Sequence, residues 1–350
     1  MSIVQNALTI ESPTALVPTQ LWDRIGEHHV LGLTGPWYRM LADLQTTFNE
    51  LTVDFWRARK AKTLHLPITT GAISSPMGLG SDSKPVQVNL CGVPTYLADS
   101  MQFMLEYGCR LTDTASYYIM PSFRGEQTDA RHLAQFFHSE AEIPGGLDDV
   151  ITVVQDYLMF LASGFLAAHE DVIQQTAGSV DHVLRMAAGT EFRRITFDDA
   201  ALILDGFGIE QHDSWRGLSP EGEARLMKTV GPFTWVTNWD HLAVPFYQAY
   251  DEGAGGSSPV ALNGDLLFGI GETVGAGERH ATSDQLASAL QLHDVDPAPY
   301  GWYSDIRDIK PMRTAGFGLG VERFLMWLTN HLDIRDMQLL PRENGRSINP

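Results

Sequence analysis

The chain is short of several residue types, and each shortage narrows what it does. Its 350 residues include two cysteines, Cys91 and Cys109. Two are too few for a disulfide framework, and this pair is not a metal-binding pair. Residues 1–18 do not place an apolar segment after a basic one, so they do not read as a secretory leader. No apolar run in the sequence is long enough to span a bilayer. These absences point to a reducing cytoplasm and to no membrane partner. Basic residues are also scarce, 24 Lys and Arg against 43 Asp and Glu, for a formal net charge of −19. A protein that grips nucleic acid by its phosphates usually presents a basic face, so this balance argues against such a partner. Internal repeats, low-complexity tracts and charge blocks are missing as well.

What is present suits a sizeable core: 44% of the residues are hydrophobic, enough for one large domain or two modest ones. Residues 1–35 read as an irregular N-terminal arm, and 36–350 as a single domain. Thr34 and Pro36 suit a helix start. Trp37, Met40, Leu41, Leu44, Phe48, Leu51 and Phe55 then recur at helical spacing, which predicts an amphipathic helix to about residue 60. Strands are expected at 64–69, 86–90, 95–97, 116–123, 233–236, 246–250 and 262–268. Helices are expected at 100–108, along Ile151 to Phe165, and from Val321 to Asn330. The sum is an α+β fold: a mixed, largely antiparallel sheet flanked by helices.

Two segments carry chemistry. The first runs from Pro121 to Phe136 and holds Arg124, Glu126, Arg131, His132 and Phe136. On a strand, Arg124 and Glu126 face one side. A cation for phosphate, a polar group for a base edge and a ring for stacking are what a nucleotide requires. The bland alternative is a solvated loop with an ordinary surface ion pair. The second segment is Gly316-Phe-Gly-Leu-Gly-Val-Glu-Arg323. Its glycines, Gly318 and Gly320 among them, admit a ligand close to the backbone, and the following helix start offers free N–H groups. A glycine-rich turn needed only for packing is the alternative. The spacing is not that of the dinucleotide fingerprint.

In this order, the two segments resemble motifs 2 and 3 of the class II aminoacyl-tRNA synthetases, most of all the asparaginyl enzymes and the related archaeal asparagine synthetases. Phe123-Arg-Gly-Glu126, Arg131-His132-Leu133, Phe136 and Gly316–Arg323 carry the likeness, with Ile334-Arg-Asp336 and Pro341-Arg342 toward the end. Motif 1 falls at about 36–70, motif 2 at about 117–142 and motif 3 at about 314–330. The resemblance implies ATP and Mg²⁺ as co-substrate and cofactor, and a homodimer formed through the motif 1 helix. Arg124 would touch the α-phosphate and Glu126 the adenine amino group. Phe136 would stack on one face of the base, Arg323 would stack on the other or reach the terminal phosphate, and Arg131 and His132 would steady pyrophosphate. Glu272, with Asp265, would hold the metal. Ser100, Gln102, Glu106 and Arg279 would hold the amino acid, an aspartate- or asparagine-like one. Gln135, Trp239-Asp240 and Gln248-Ala249 depart from the asparaginyl pattern near the amino-acid pocket.

By the resemblance, the bacterial asparaginyl enzymes place an anticodon-binding barrel of about a hundred residues, the size of a small domain, ahead of this region. Only some 35 residues precede the first helix here. That shortage and the acidic balance favour an amide-forming ligase that passes the activated amino acid to ammonia or another amine, with tRNA an unlikely partner. The alternatives are aminoacylation of tRNA or a carrier thiol, and a non-catalytic nucleotide- or amino-acid-binding relative.

Overall fold

The computed structural model describes residues 16–75, 84–251 and 259–347. Part of the expected arm, residues 1–15, lies outside them. The rest of the arm is not irregular throughout, because His28–Thr34 forms a short helix. Pro36 then opens α1, Pro36–Ala58, whose Trp37, Leu41, Leu44, Phe48 and Phe55 are buried. Proline fits there because the first turn does not use its missing N–H.

Eight strands form one sheet: β1 (Lys62–Thr63), β2 (Ser116–Phe123), β3 (Gln135–Pro144), β4 (Phe192–Thr196), β5 (Phe233–Thr237), β6 (Asn263–Phe268), β7 (Gly271–Glu278) and β8 (Thr314–Gly320). Their order is β1-β2-β3-β8-β7-β6-β5-β4. The six central strands pair antiparallel, and β1 and β4 add parallel edges. The expected α+β architecture, a largely antiparallel sheet with helices against it, is therefore present. Helices α2 (Gln102–Thr112), α3 (Leu147–Ala177), α4 (Pro220–Thr229) and α5 (Val321–Thr329) pack around the sheet.

Some strand expectations change. Of residues 64–69, only Thr69 is in a strand, because the chain breaks around Pro67 between two short pairings. Of 246–250, only Tyr250 begins a strand. There Phe246 and Tyr247 are apolar because they are buried, not because they alternate along a ladder. Helix α3 also corrects the reading of apolar runs. It is 31 residues long with a mean hydropathy of 1.6 over its most apolar stretch, enough by length and composition to cross a membrane. Here Val150, Val154, Leu158, Leu161 and Phe165 of α3 lie in the main core with Phe317 and Leu319.

Strand β8 shows why the sheet has one filled and one open face. Side chains alternate along a strand, so Ala315, Phe317 and Leu319 enter the core while Gly316, Gly318 and Gly320 face the other way. In register across that open face stand Tyr118, Glu140, Gly318, Gly275 and Asp265. The neighbouring row holds Ser116, Glu142, Gly316, Gly277 and Asn263. The glycines make a trough, and β3 carboxylates lean into it. A Cβ on Gly316 would overlap the Glu142 carboxylate. Gly316→Ala is therefore expected to destabilise the fold by about 1–3 kcal/mol, the usual cost of overpacking, as read by denaturant unfolding.

A second buried cluster adjoins the trough. His293 Nε2 lies 3.1 Å from His241 Nδ1, and His241 Nε2 lies 3.0 Å from the Gln248 carbonyl oxygen. His280 Nε2 reaches the Phe246 carbonyl at 3.0 Å. A carbonyl only accepts, so His241 donates from Nε2 and His293 donates to His241; all three rings work as neutral imidazoles. Burial depresses His241 to about 4 and His280 and His293 to about 3. Below pH ~6.5 the unfolded chain takes up protons at these sites and the folded chain does not, so their contribution to stability falls between roughly pH 6.5 and 4. Burial raises Glu142 and Glu223 to about 7. Their contribution has the opposite sign and is lost as pH rises through about 7, so wild-type stability alone does not isolate the histidines. Comparison with His293→Gln does: the variant's unfolding free energy should fall less steeply between pH 6 and 4.5, by up to about 1.4 kcal/mol per pH unit.

Candidate functional site

Two adjoining cavities open over the glycine trough. The larger, about 380 Å³, is lined by Arg124, Glu126, Arg131, His132, Phe136, Glu272, Gly318, Gly320 and Arg323. The smaller, about 290 Å³, is lined by Ser100, Gln102, Glu140, Tyr247, Gln248, Asp265 and Arg279. Arg124, His138, Glu272 and Gly318 border both. Of the candidate site residues, all but Glu106 therefore line these two cavities, as does Gln248, whereas Gln135, Trp239, Asp240 and Ala249 do not.

In the larger cavity, β3 begins with Gln135 and Phe136, and Arg124 lies 5.6 Å from the Phe136 ring centre. Arg124 and Glu126 are not on a strand as expected, since β2 ends at Phe123. They share a cavity because the loop turns back: Arg124 N–H donates to the Ala134 carbonyl at 3.0 Å, and Gly125 N–H to that of Lys84 at 2.8 Å. Glu126 Oε1 accepts from the Lys84 N–H at 2.6 Å. Among the described residues, the buried atoms Arg124 Nε, Arg131 Nε and Glu126 Oε2 have no hydrogen-bond partner. Buried polar atoms normally find one, so these three fit a polar ligand.

Arg323 begins α5 and reaches across the cavity, donating from Nη1 to the Glu272 carbonyl. The adjacent Glu322 does something different. Its carboxylate accepts the Phe137 N–H at 3.0 and 3.2 Å and Gln338 Nε2 at 2.9 Å, tying the start of α5 to β3. Arg131 donates from Nη2 to the Ile270 carbonyl at 3.0 Å, while His132 Nδ1 lies 2.9 Å from Asp129.

Glu272 and Asp265 lean over the same glycine: a Cβ on Gly275 would lie 3.4 Å from Glu272 Oε1 and 3.6 Å from Asp265 Oδ1. Burial, then the charges of Glu272 and Glu223, hold Asp265 well above the usual carboxylate range. Such crowding suits a cation. Mg²⁺ is commonly held by one or two carboxylates together with phosphates and water, and this pair is of that kind.

The smaller cavity holds a carboxylate not singled out in the sequence. Glu140 is buried on β3 and accepts from Ser100 Oγ at 2.5 Å and from the Tyr118 hydroxyl. His138 Nδ1 lies 3.2 Å from Glu140 Oε1. Burial opposes its charge, but His138, Ser100 and Tyr118 hold it below its ordinary value. The strand pattern Glu140-Ala-Glu142 was the available signal. Arg279 sits at the far wall, with Nε 3.0 Å and Nη2 2.5 Å from Glu142 Oε1.

Glu106 is the exception. It does not line the cavity. Arg110 Nη1 stands 2.7 Å and Thr314 Oγ1 3.1 Å from its Oε1, with Arg307 Nη2 at 3.2 Å and the Tyr303 hydroxyl on Oε2. Burial works against its charge, yet Arg307 and Arg110 hold it below the usual range. It closes a structural ion-pair network rather than facing a substrate.

Residues 27–344 match the family described as tRNA synthetases class II (D, K and N). An asparagine–tRNA ligase of Colwellia psychrerythraea is 31% identical over 262 residues, 72% of this chain and 55% of the relative. A probable cytoplasmic asparagine–tRNA ligase of Encephalitozoon cuniculi is 29% identical over 265 residues, 73% of this chain and 57% of the relative. The chain thus spans little more than half the length of these curated relatives. In fold it is similar to asparaginyl-tRNA synthetase from Pyrococcus horikoshii complexed with asparaginyl-adenylate, with a TM-score of 0.83 at 23% identity over 93% of this chain and 73% of that one. These relatives overturn the expectation that tRNA is an unlikely partner. Net charge sums the whole surface, whereas a phosphate grip needs only a local cationic face. They also favour aminoacylation over the expected amide formation. By its match along nearly its whole length, this chain belongs to the class II tRNA synthetases.

Proposed function

We propose that the chain activates an α-amino acid with ATP as its aminoacyl-adenylate and passes it to a tRNA, in the manner of the asparagine–tRNA ligases it resembles. One observation carries this reading. Arg124 and Arg323 line one cavity, and Arg124, Glu272 and Gly318 also border the adjoining, carboxylate-lined one.

Adenine would lie against Phe136, with Arg323 across the cavity, and Glu126 Oε2 would accept from its amino group. Arg124 would hold the α-phosphate, and Arg131 and His132 the departing end. Mg²⁺, held by Glu272 and Asp265, would neutralise phosphate charge. Glu140 and Ser100 would take the ammonium of the amino acid, so that its carboxylate points toward Arg124. A carboxylate oxygen then bonds to the α-phosphorus as the bond to the bridging oxygen breaks and pyrophosphate leaves. A tRNA hydroxyl next attacks the acyl carbon, and AMP departs. Charge crowds one phosphorus throughout, so catalysis rests on positioning and on fixed cations. The names of the cytoplasmic relatives support a cytoplasmic setting, and pairing through α1 is proposed with it.

Amino-acid-dependent exchange of pyrophosphate into ATP tests activation. Arg323→Ala is expected to lower it by about 10²–10³, the loss typical of one preorganised donor, with thermal unfolding little changed. Exchange with no amino acid, or an Arg323→Ala variant as active as wild type, removes the reading. Charging of total tRNA tests the acceptor. Glu106→Gln should behave differently, losing about 3–5 kcal/mol of stability as a broken buried ion pair while the protein that remains folded keeps its order of preference among amino acids.

A further inference from the structure

The side chain of the activated amino acid meets a wall that is already occupied. This inference rests on the adenylation reading above. With the carboxylate toward Arg124 and the ammonium at Glu140, the smaller cavity still offers the side chain a wall that includes Gln102, Tyr247, Gln248 and Arg279. A guanidinium that receives a substrate carboxylate offers a free two-pronged edge. Arg279 offers none. Its Nε and Nη2 hold Glu142, Nη2 also reaches Gln102 Oε1 at 3.2 Å, and Nη1 reaches Gln248 Oε1 at 2.9 Å. Its charge is likewise met by the buried Glu142.

Gln248 Oε1 therefore already takes the Arg279 N–H that a substrate side-chain oxygen could otherwise use. The placement is built in. The carboxamide lies on bare Gly277, where any Cβ would overlap Oε1. The backbone of Gln248 bridges to Arg279 across the strand end, its N–H donates to the Pro245 carbonyl at 3.1 Å, and its carbonyl accepts from His241, which His293 fixes in turn. The neutral histidine pair has no contact with the nucleotide cavity, and holding this segment is the task its geometry serves.

We propose that Gln248 fills the side-chain end of the pocket, and that the amino acid activated is neutral and shorter than asparagine, of the glycine, alanine and serine class. The carboxamide replaces the substrate's own oxygen on Arg279. Aspartate is excluded because its carboxylate would find no uncommitted cation, and asparagine because Gln248 already takes the Arg279 N–H that its side-chain oxygen would use.

Pyrophosphate exchange with glycine, alanine, serine, asparagine and aspartate decides this, measured on wild type, Gln248→Ala and Gln248→Asn. In wild type, kcat/KM for the best of the three small amino acids should exceed that for asparagine at least about tenfold, the scale on which one or two heavy atoms discriminate. Gln248→Ala should gain asparagine activity by a similar factor and lose preference for the small ones, with Gln248→Asn between them. A wild type that prefers asparagine or aspartate overturns the proposal, as does an unchanged order in both variants. Should Gln248→Ala not fold, the wild-type order and Gln248→Asn decide alone. If no amino acid supports exchange, adenylation itself fails. Calorimetric binding of alanine, serine and asparagine with a non-hydrolysable ATP analogue then tests the pocket separately: tighter asparagine overturns the proposal, and tighter alanine or serine supports it.

Discussion

The organising constraint is steric: the open face of the sheet has room only because glycines line it. Gly316 and Gly318 on β8 stand beside Glu142 and Glu140 on β3, and Gly277 and Gly275 on β7 lie across from them. A side chain at Gly316 would evict Glu142, and one at Gly277 would evict Gln248. The same strand sends Phe317 and Leu319 into the core, so the trough is anchored from behind. A ligand can come close to this backbone without the backbone having to move.

That trough sets the electrostatics. The carboxylates at its ends, buried Glu140 and Glu142 on one side and half-buried Asp265 on the other, are tolerated only where hydrogen bonds, cations or solvent meet them. Glu140 has Ser100, Tyr118 and His138, and Glu142 has Arg279. Asp265 has no cation in such a role among the described residues, and burial and its acidic neighbours Glu272 and Glu223 push its proton affinity up. Arg124 and Arg131 keep unpartnered nitrogens in the adjoining cavity. An acidic chain thus keeps cationic groups together in this cavity, and the overall charge of −19 says little about that local field.

Much of this was legible in the sequence, for identifiable reasons. The glycine alternation from Gly316 to Gly320 and the polar loop around Arg124 are local patterns, and the two cavities bring them together as the pattern suggested. The periodicity of α1 located that helix within about two residues. What sequence hid depended on distant partners. Helical spacing at Glu106 is the same whether it faces substrate or Arg307, which is 201 residues away. Phe246 and Tyr247 look strand-like because they are buried. Glu140 and Glu142 left a period-two signal that was readable. Gln248 showed as a departure from the family pattern, but only the fold reveals that it lands on Arg279.

The most direct measurement is a crystal structure with Mg²⁺ and a non-hydrolysable ATP analogue. The adenine ring should lie between Phe136 and Arg323, the α-phosphate within hydrogen-bond reach of Arg124, and the metal beside Glu272. A nucleotide bound elsewhere, or one whose α-phosphate points away from the smaller cavity, would contradict the account.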